Sequence, residues 1–165
     1  MSLGFDETDY KILRELQKNG RVTNIQLSKQ VGLSPAPTLE RVKKLENNGV
    51  IESYHAKVNK SKVGLGINAL IQVNLVRQLE NAIHNFTEKI AQIPEITECY
   101  QVTGNFDYLL KAVVPDIPAF ERLIGEKLGK IDEIGQMHTN VILSEVKNSP
   151  LLPLSYAENG TNHQP

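Results

Sequence analysis

The residues from 34 to 48 carry types and spacings that could do chemistry: Ser34, the adjacent Pro37 and Thr38, Arg41, Lys44 and Asn48 follow one another at steps of three or four positions. On a helix such residues share one side, opposite an apolar stripe of Leu39, Val42 and Leu45. Small and hydroxyl side chains at the start of that helix would let its N-terminus, with its free amides, come close to an anion or a base edge. The guanidinium fork of Arg41 matches the paired acceptors of guanine, and Lys44 is a point charge suited to phosphate. Arg21 and Asn24, just ahead of this region, extend the polar surface, with Lys29 and Lys43 as further phosphate anchors. The chemistry implied is non-covalent recognition of a polyanion, to be weighed against an ordinary solvated helix face.

Covalent chemistry has little to stand on. There is no nucleophile triad, zinc-protease motif or carboxylate pair, and His55, His84, His138 and His163 show no metal-ligand spacing. No metal and no cofactor is expected. Cys99 is the only cysteine, so no intrachain disulfide can form and a reducing compartment is favoured. With no apolar run long enough for a membrane span and no signal-type start, a cytoplasmic protein is expected.

These residues need elements to position them, and 165 residues are enough for two small domains. Net charge is −1, but it is divided unevenly: residues 1–60 carry ten Lys and Arg against seven Asp and Glu, residues 61–165 eight against twelve. A basic head thus precedes an acidic body. In the head, Asp6 followed by Asp9 caps a helix over 6–18, and Thr23 caps a second over 23–31. Gly32 supplies a tight turn, and Ser34-Pro35 opens a third helix over 35–48. Residues 50–58 are rich in β-formers and predict an extended segment. Three short helices with a strand behind make a winged helix-turn-helix.

After Gly64-Leu65-Gly66, residues 67–77 alternate with Ala69, Ile71, Val73 and Leu75 on one side, the period of a strand. A helix over 79–92 presents Ile83, Phe86 and Ile90. Strands over 96–103 and 106–114 flank a two-residue Gly104-Asn105 turn. Asp116 then caps a helix with Phe120, Leu123, Ile124 and Leu128 inward, and a last strand covers 134–146. The order strand, helix, strand, strand, helix, strand is that of a ferredoxin-like βαββαβ sandwich, so the fold class is α+β. Its boundaries are 1–60 for the helical domain, 61–66 for a hinge, 67–148 for the sandwich and 149–165 for a tail, whose polar last nine residues are expected to be disordered. Pairing of Val102 with Asp107 puts Phe106, Tyr108, Leu110, Ala112 and Val114 under the helices. Ile96, Tyr100, Val102, Asp107, Leu109 and Val113 fall on the other face among charges such as Lys111, a mixture too apolar to stay wet and too polar for a monomer's core, and a homodimer through that face is expected. A two-fold would set two DNA readers roughly 34 Å apart, one helical turn of duplex.

With both halves in view, the chain resembles the leucine-responsive regulatory protein/asparagine regulator (Lrp/AsnC) family of transcription factors from about Asp6 to Lys147. The carriers are the runs 16–21 (LQKNGR), 27–35 (LSKQVGLSP), 40–46 (ERVKKLE), 51–56 (IESYHA) and 104–110 (GNFDYLL), in that order. The resemblance implies double-stranded DNA as partner, dimers assembling further into octamers, and a small effector, usually an amino acid, bound in the sandwich domain. Carried over by position, Thr103, Gly104, Asn105, Phe106 and Asp107, with Tyr100 nearby, would line that site. Exposed amides around the glycine turn would suit a carboxylate and Asp107 an ammonium. Read without the family, Gly104-Asn105 is a plain hairpin turn and Asp107 an interface charge. The same architecture is similar to that of siroheme decarboxylases, which makes an enzyme of that kind the alternative.

Overall fold

The computed structural model describes residues 4–77 and 79–155, and the chain divides into two compact units, one of residues up to 57 together with those from 147 onward, the other of residues 58–146. In the first unit, helix α1, Glu7–Lys18, begins at a reciprocal cap: the Asp9 amide donates to Asp6 Oδ1 at 2.9 Å and the Asp6 amide to Asp9 Oδ2 at 3.2 Å. Helix α2, Asn24–Val31, is capped the same way by Thr23 and Gln26 and stops at Gly32, whose left-handed φ of 74° suits glycine best. Helix α3, Pro35–Asn47, starts on a proline that has no N–H to leave unsatisfied. Ile12, Leu27, Val31 and Leu45 are buried at the centre, with Leu13, Leu16, Val22, Leu33 and Val42 packed around them.

Residues 50–58 depart from expectation. They form no ladder, since every strand among the described residues belongs to the other unit and an extended segment alone has nothing to exchange hydrogen bonds with. The segment beginning at 147 is not a free tail. The Leu152 amide donates to Gln17 Oε1 on α1 at 2.6 Å, and Lys57 Nζ donates to the Asn148 carbonyl at 3.0 Å. The expectation for 157–165 lies outside the described residues.

The second unit is a four-stranded antiparallel sheet in the order β2-β3-β1-β4, with β1 Ile67–Leu75, β2 Ile96–Gln101, β3 Tyr108–Val114 and β4 Ile134–Val141. Helix α4, Glu80–Ala91, follows β1, and α5, Ile117–Arg122, follows β3 with Asp116 accepting from the Ala119 amide at 2.8 Å. The helix continues as a wider π turn over Leu123–Lys127 and a 3-10 turn over Leu128–Lys130. The wide turn sets Leu123 and Leu128, five residues apart, toward one core, where both are buried. Ala69, Ile71, Val73, Leu75, Tyr108, Leu110, Ala112 and Val114 line the sheet side of that core, and Phe86 and Ile90 the helix side.

The register places Gln101 opposite Tyr108 and Tyr100 opposite Leu109, as a two-residue turn at Gly104-Asn105 demands. A bulge between Ile96 and Glu98 breaks that register at the far end of β2. Ile96 therefore faces the helix-covered core and not the open face expected for it.

Candidate nucleic-acid interface and effector site

The helix-turn-helix is held at three points. Gly32 makes the turn, Asn24 Nδ2 donates to the Pro35 carbonyl at 2.7 Å, and the Thr38 hydroxyl donates to the Ser34 carbonyl at 2.9 Å. Asn24 thus fixes the start of α3 with its side-chain amide. Ser34, the cap residue of α3, makes no side-chain capping bond, so its hydroxyl stands exposed beside the helix N-terminus, where the backbone dipole favours an anion.

The rotation of α3 differs from the one the sequence implied. Thr38, expected on the DNA side, is fully buried, while Leu39, expected in the core, is 43% exposed. The short hydroxyl side chain can enter the core because its one donor is satisfied within the helix. Arg41 also points inward. Its Nη1 donates to Asp6 Oδ2 at 2.7 Å and to Asp9 Oδ1 at 2.8 Å, so the expected guanine fork is a clamp between α3 and the N-terminus of α1. The physical cause is the pair of carboxylates in the α1 cap: Asp9 is buried and needs a cation. Burial works against ionisation of Asp6, but the Asp9 amide and the hydrogen bond and charge of Arg41 outweigh it and hold that carboxyl below its ordinary range.

With Thr38, Arg41, Val42 and Leu45 turned toward the core, the outward side of α3 is centred on Ala36, Glu40, Lys43 and Asn47, flanked by Leu39, Pro37 and Lys44. Compared with the expected face, the helix is turned by about one residue, roughly 100°. Pro37 and Lys44 stay exposed at its margin, as do Arg21 and Asn48. The side chains of Glu40, Lys43 and Lys44 make no hydrogen bond or ion pair among the described residues.

In the second unit, Thr103, Gly104 and Asn105 form the exposed tip of the β2–β3 hairpin, and Gly104 has a φ of 121°, a conformation open to glycine. Phe106 and Asp107 are half-buried at its base. Asp107 is committed to structure: its Oδ2 accepts from the Leu75 amide at 2.8 Å, and its own amide donates to the Val73 carbonyl at 2.9 Å. The carboxylate therefore closes the end of β1, a use the sequence did not signal because Leu75 lies 32 residues away. Tyr100 is half exposed on the open sheet face and donates its hydroxyl to Glu98 Oε2 at 2.8 Å. Glu98 also takes Lys111 Nζ at 2.7 Å, and this ion pair, first by its hydrogen bond, holds the Glu98 carboxyl below its usual range. Neither Glu98 nor Lys57 was singled out from sequence: the Lys111 that pairs with Glu98 lies 13 residues away, and the Asn148 carbonyl that takes Lys57 lies 91 away.

No group of three or more His, Cys, Asp or Glu among the described residues could hold a metal. No helix among them is long and apolar enough to cross a membrane.

The two units match two family models. A winged helix-turn-helix DNA-binding model covers residues 5–52, and the Lrp/AsnC ligand binding domain covers residues 68–152. The leucine-responsive regulatory proteins of Klebsiella pneumoniae and of Escherichia coli K12 are each 42% identical over 144 residues, which is 87% of this chain and 88% of theirs. Among solved structures, a transcriptional regulator of Neisseria meningitidis in complex with L-Met is 37% identical, with a TM-score of 0.90 over 93% of this chain and 99% of that one. AsnC of Escherichia coli is 26% identical, with a TM-score of 0.82 over 90% of this chain and 98% of its own.

Proposed function

Since the chain belongs to the Lrp/AsnC family of DNA-binding transcription regulators, which are not enzymes, we propose that it is a cytoplasmic, amino-acid-responsive regulator of genes of amino-acid metabolism. The observation that carries this reading is the outward side of α3, where Ser34 stands exposed at the helix start and Lys43 and Lys44 stand exposed toward its far end, none of the three side chains with a hydrogen bond or ion pair among the described residues. Free helix amides at one end of that side and unpaired cations toward the other are what successive phosphates of a duplex backbone can contact. On this reading Arg21, Ser34, Pro37 and Lys44 face the duplex, while Asn24 and Arg41 set the helix that reads it.

The effector is an α-amino acid held at the hairpin tip formed by Thr103, Gly104 and Asn105, with Phe106 and Tyr100 beside it. Support comes from the exposed amides of that tip and from the neighbour solved with L-Met. The assembly is a homodimer through the open sheet face, with octamers built from four dimers. A siroheme-decarboxylase-like activity has no support in the relatives.

Fluorescence anisotropy of labelled duplexes, with and without each of the twenty amino acids, tests the reading. Duplex affinity that falls with salt and shifts with at least one amino acid is expected. Absence of any salt-sensitive duplex affinity would overturn it.

A further inference from the structure

We infer that base selection falls to Leu39 and Glu40, with Ala36 beside them, and not to the cations of α3. The inference rests on the DNA-binding function proposed above and names the residues that give it sequence preference.

The rotation of α3 carries the argument. Thr38 is fully buried and Arg41, though a third exposed, has its guanidinium committed to Asp6 and Asp9, so the two side chains best suited by type to read bases are already engaged within the unit. What replaces them at the outward centre is Ala36 and Glu40, with Leu39 on the flank. Leu39 is 43% exposed on a helix that had Thr38 available for the surface instead, an arrangement that lowers stability for the isolated unit. An apolar side chain in a major groove has one well-matched contact, the thymine methyl, and the Ala36 methyl one turn earlier can join it.

Glu40 is the second anomaly. It has Lys43 three residues on and Lys44 four residues on, both within reach on the helix surface, yet it pairs with neither among the described residues. A carboxylate brought toward duplex phosphates is repelled unless it accepts a hydrogen bond, and the base edge that presents a lone donor in the major groove is the cytosine amine. Glu40 would thus penalise every sequence lacking that donor, which is discrimination by repulsion as much as by attraction. Lys43 and Lys44, on either side, supply the sequence-independent attraction to phosphate.

The test is enrichment of bound duplexes from a randomised library by the full-length protein and by Glu40→Gln, Leu39→Ala and Lys43→Ala, each checked by circular dichroism for retained helix. The wild type should enrich a motif containing cytosine and thymine in each half-site. Glu40→Gln should move the cytosine preference to adenine, which a glutamine amide pairs with, by about tenfold. Leu39→Ala should relax the thymine position alone, and Lys43→Ala should weaken binding with the motif unchanged. A wild-type motif kept intact by both Glu40→Gln and Leu39→Ala overturns the inference while leaving the DNA-binding function standing. A folded wild type that enriches no motif overturns the regulator reading itself, and this inference with it.

Discussion

Arg41 on α3 donates Nη1 to Asp9 Oδ1 on α1 at 2.8 Å, and the Asp9 side chain it holds is only 8% exposed. The same nitrogen reaches Asp6 at 2.7 Å, so one cation serves both carboxylates of the helix cap. Arg41→Ala leaves a buried charge without its partner. Because the guanidinium is itself 34% exposed, the full cost of breaking a buried pair is screened, and a loss of about 1–2 kcal/mol is expected. Urea unfolding of wild type and variant measures it. Arg41→Lys should recover part of the loss, since an ammonium keeps the charge but is more strongly hydrated and sits on a differently shaped side chain that need not reach both oxygens at once.

The same clamp gives the helical unit an acid limit. The Asp6 carboxyl is held below its ordinary value, so the folded state binds its proton less readily than the unfolded chain. That stability is fully present above the unfolded pKa of about 3.9 and is lost as pH falls through the lower folded value. Thermal unfolding followed from pH 7 down to about pH 3 should show a steeper drop for the wild type than for Arg41→Ala, in which the Asp6 shift is reduced. Parallel curves would show that Arg41 is not the cause.

The caps and the periodicity of the buried strands were legible in the sequence, because each depends on residues within a few positions of one another. Asp6 with Asp9, Thr23 with Gln26 and the Ala69-Ile71-Val73-Leu75 alternation are local patterns with local causes. The face of α3 was misjudged by one residue, since the sequence shows Leu39 as apolar but not that the buried Asp9 draws Arg41 inward. Ile96 was misplaced by a bulge that no turn signal marks. The closing of β1 by Asp107 and the return of the 147–155 segment to α1 were hidden for the same reason, their partners lying 32 and 135 residues away.

The open sheet face combines half-buried Leu109 with the Glu98–Lys111 pair and the Tyr100 hydroxyl that joins it. Such a mixture suits an interface in which the ion pair is satisfied within one protomer and the apolar remainder is covered by another. Analytical ultracentrifugation at micromolar concentration should give a dimer or a multiple of it. Leu109→Glu sets a second carboxylate next to Glu98 and should shift the mass toward monomer. A wild-type monomer at that concentration contradicts the proposed assembly.

Asp107 is the residue at which effector binding and fold are hardest to separate, because its carboxylate already accepts the Leu75 amide at 2.8 Å. Removing that acceptor in Asp107→Ala orphans a half-buried strand amide and should cost about 1–3 kcal/mol whether or not any ligand binds. Asp107→Asn keeps an oxygen for the Leu75 amide but removes the negative charge. If the charge meets the ammonium of an amino acid, Asp107→Asn should retain most of the melting temperature and lose roughly tenfold or more in affinity for L-methionine or L-leucine, a charge-assisted bond being worth about 1.5–3 kcal/mol. Calorimetric titration beside a melting curve separates the two. Unchanged affinity in a stable Asp107→Asn protein would assign the residue to the end of β1 alone and leave ammonium recognition to other groups around the Thr103–Asn105 tip.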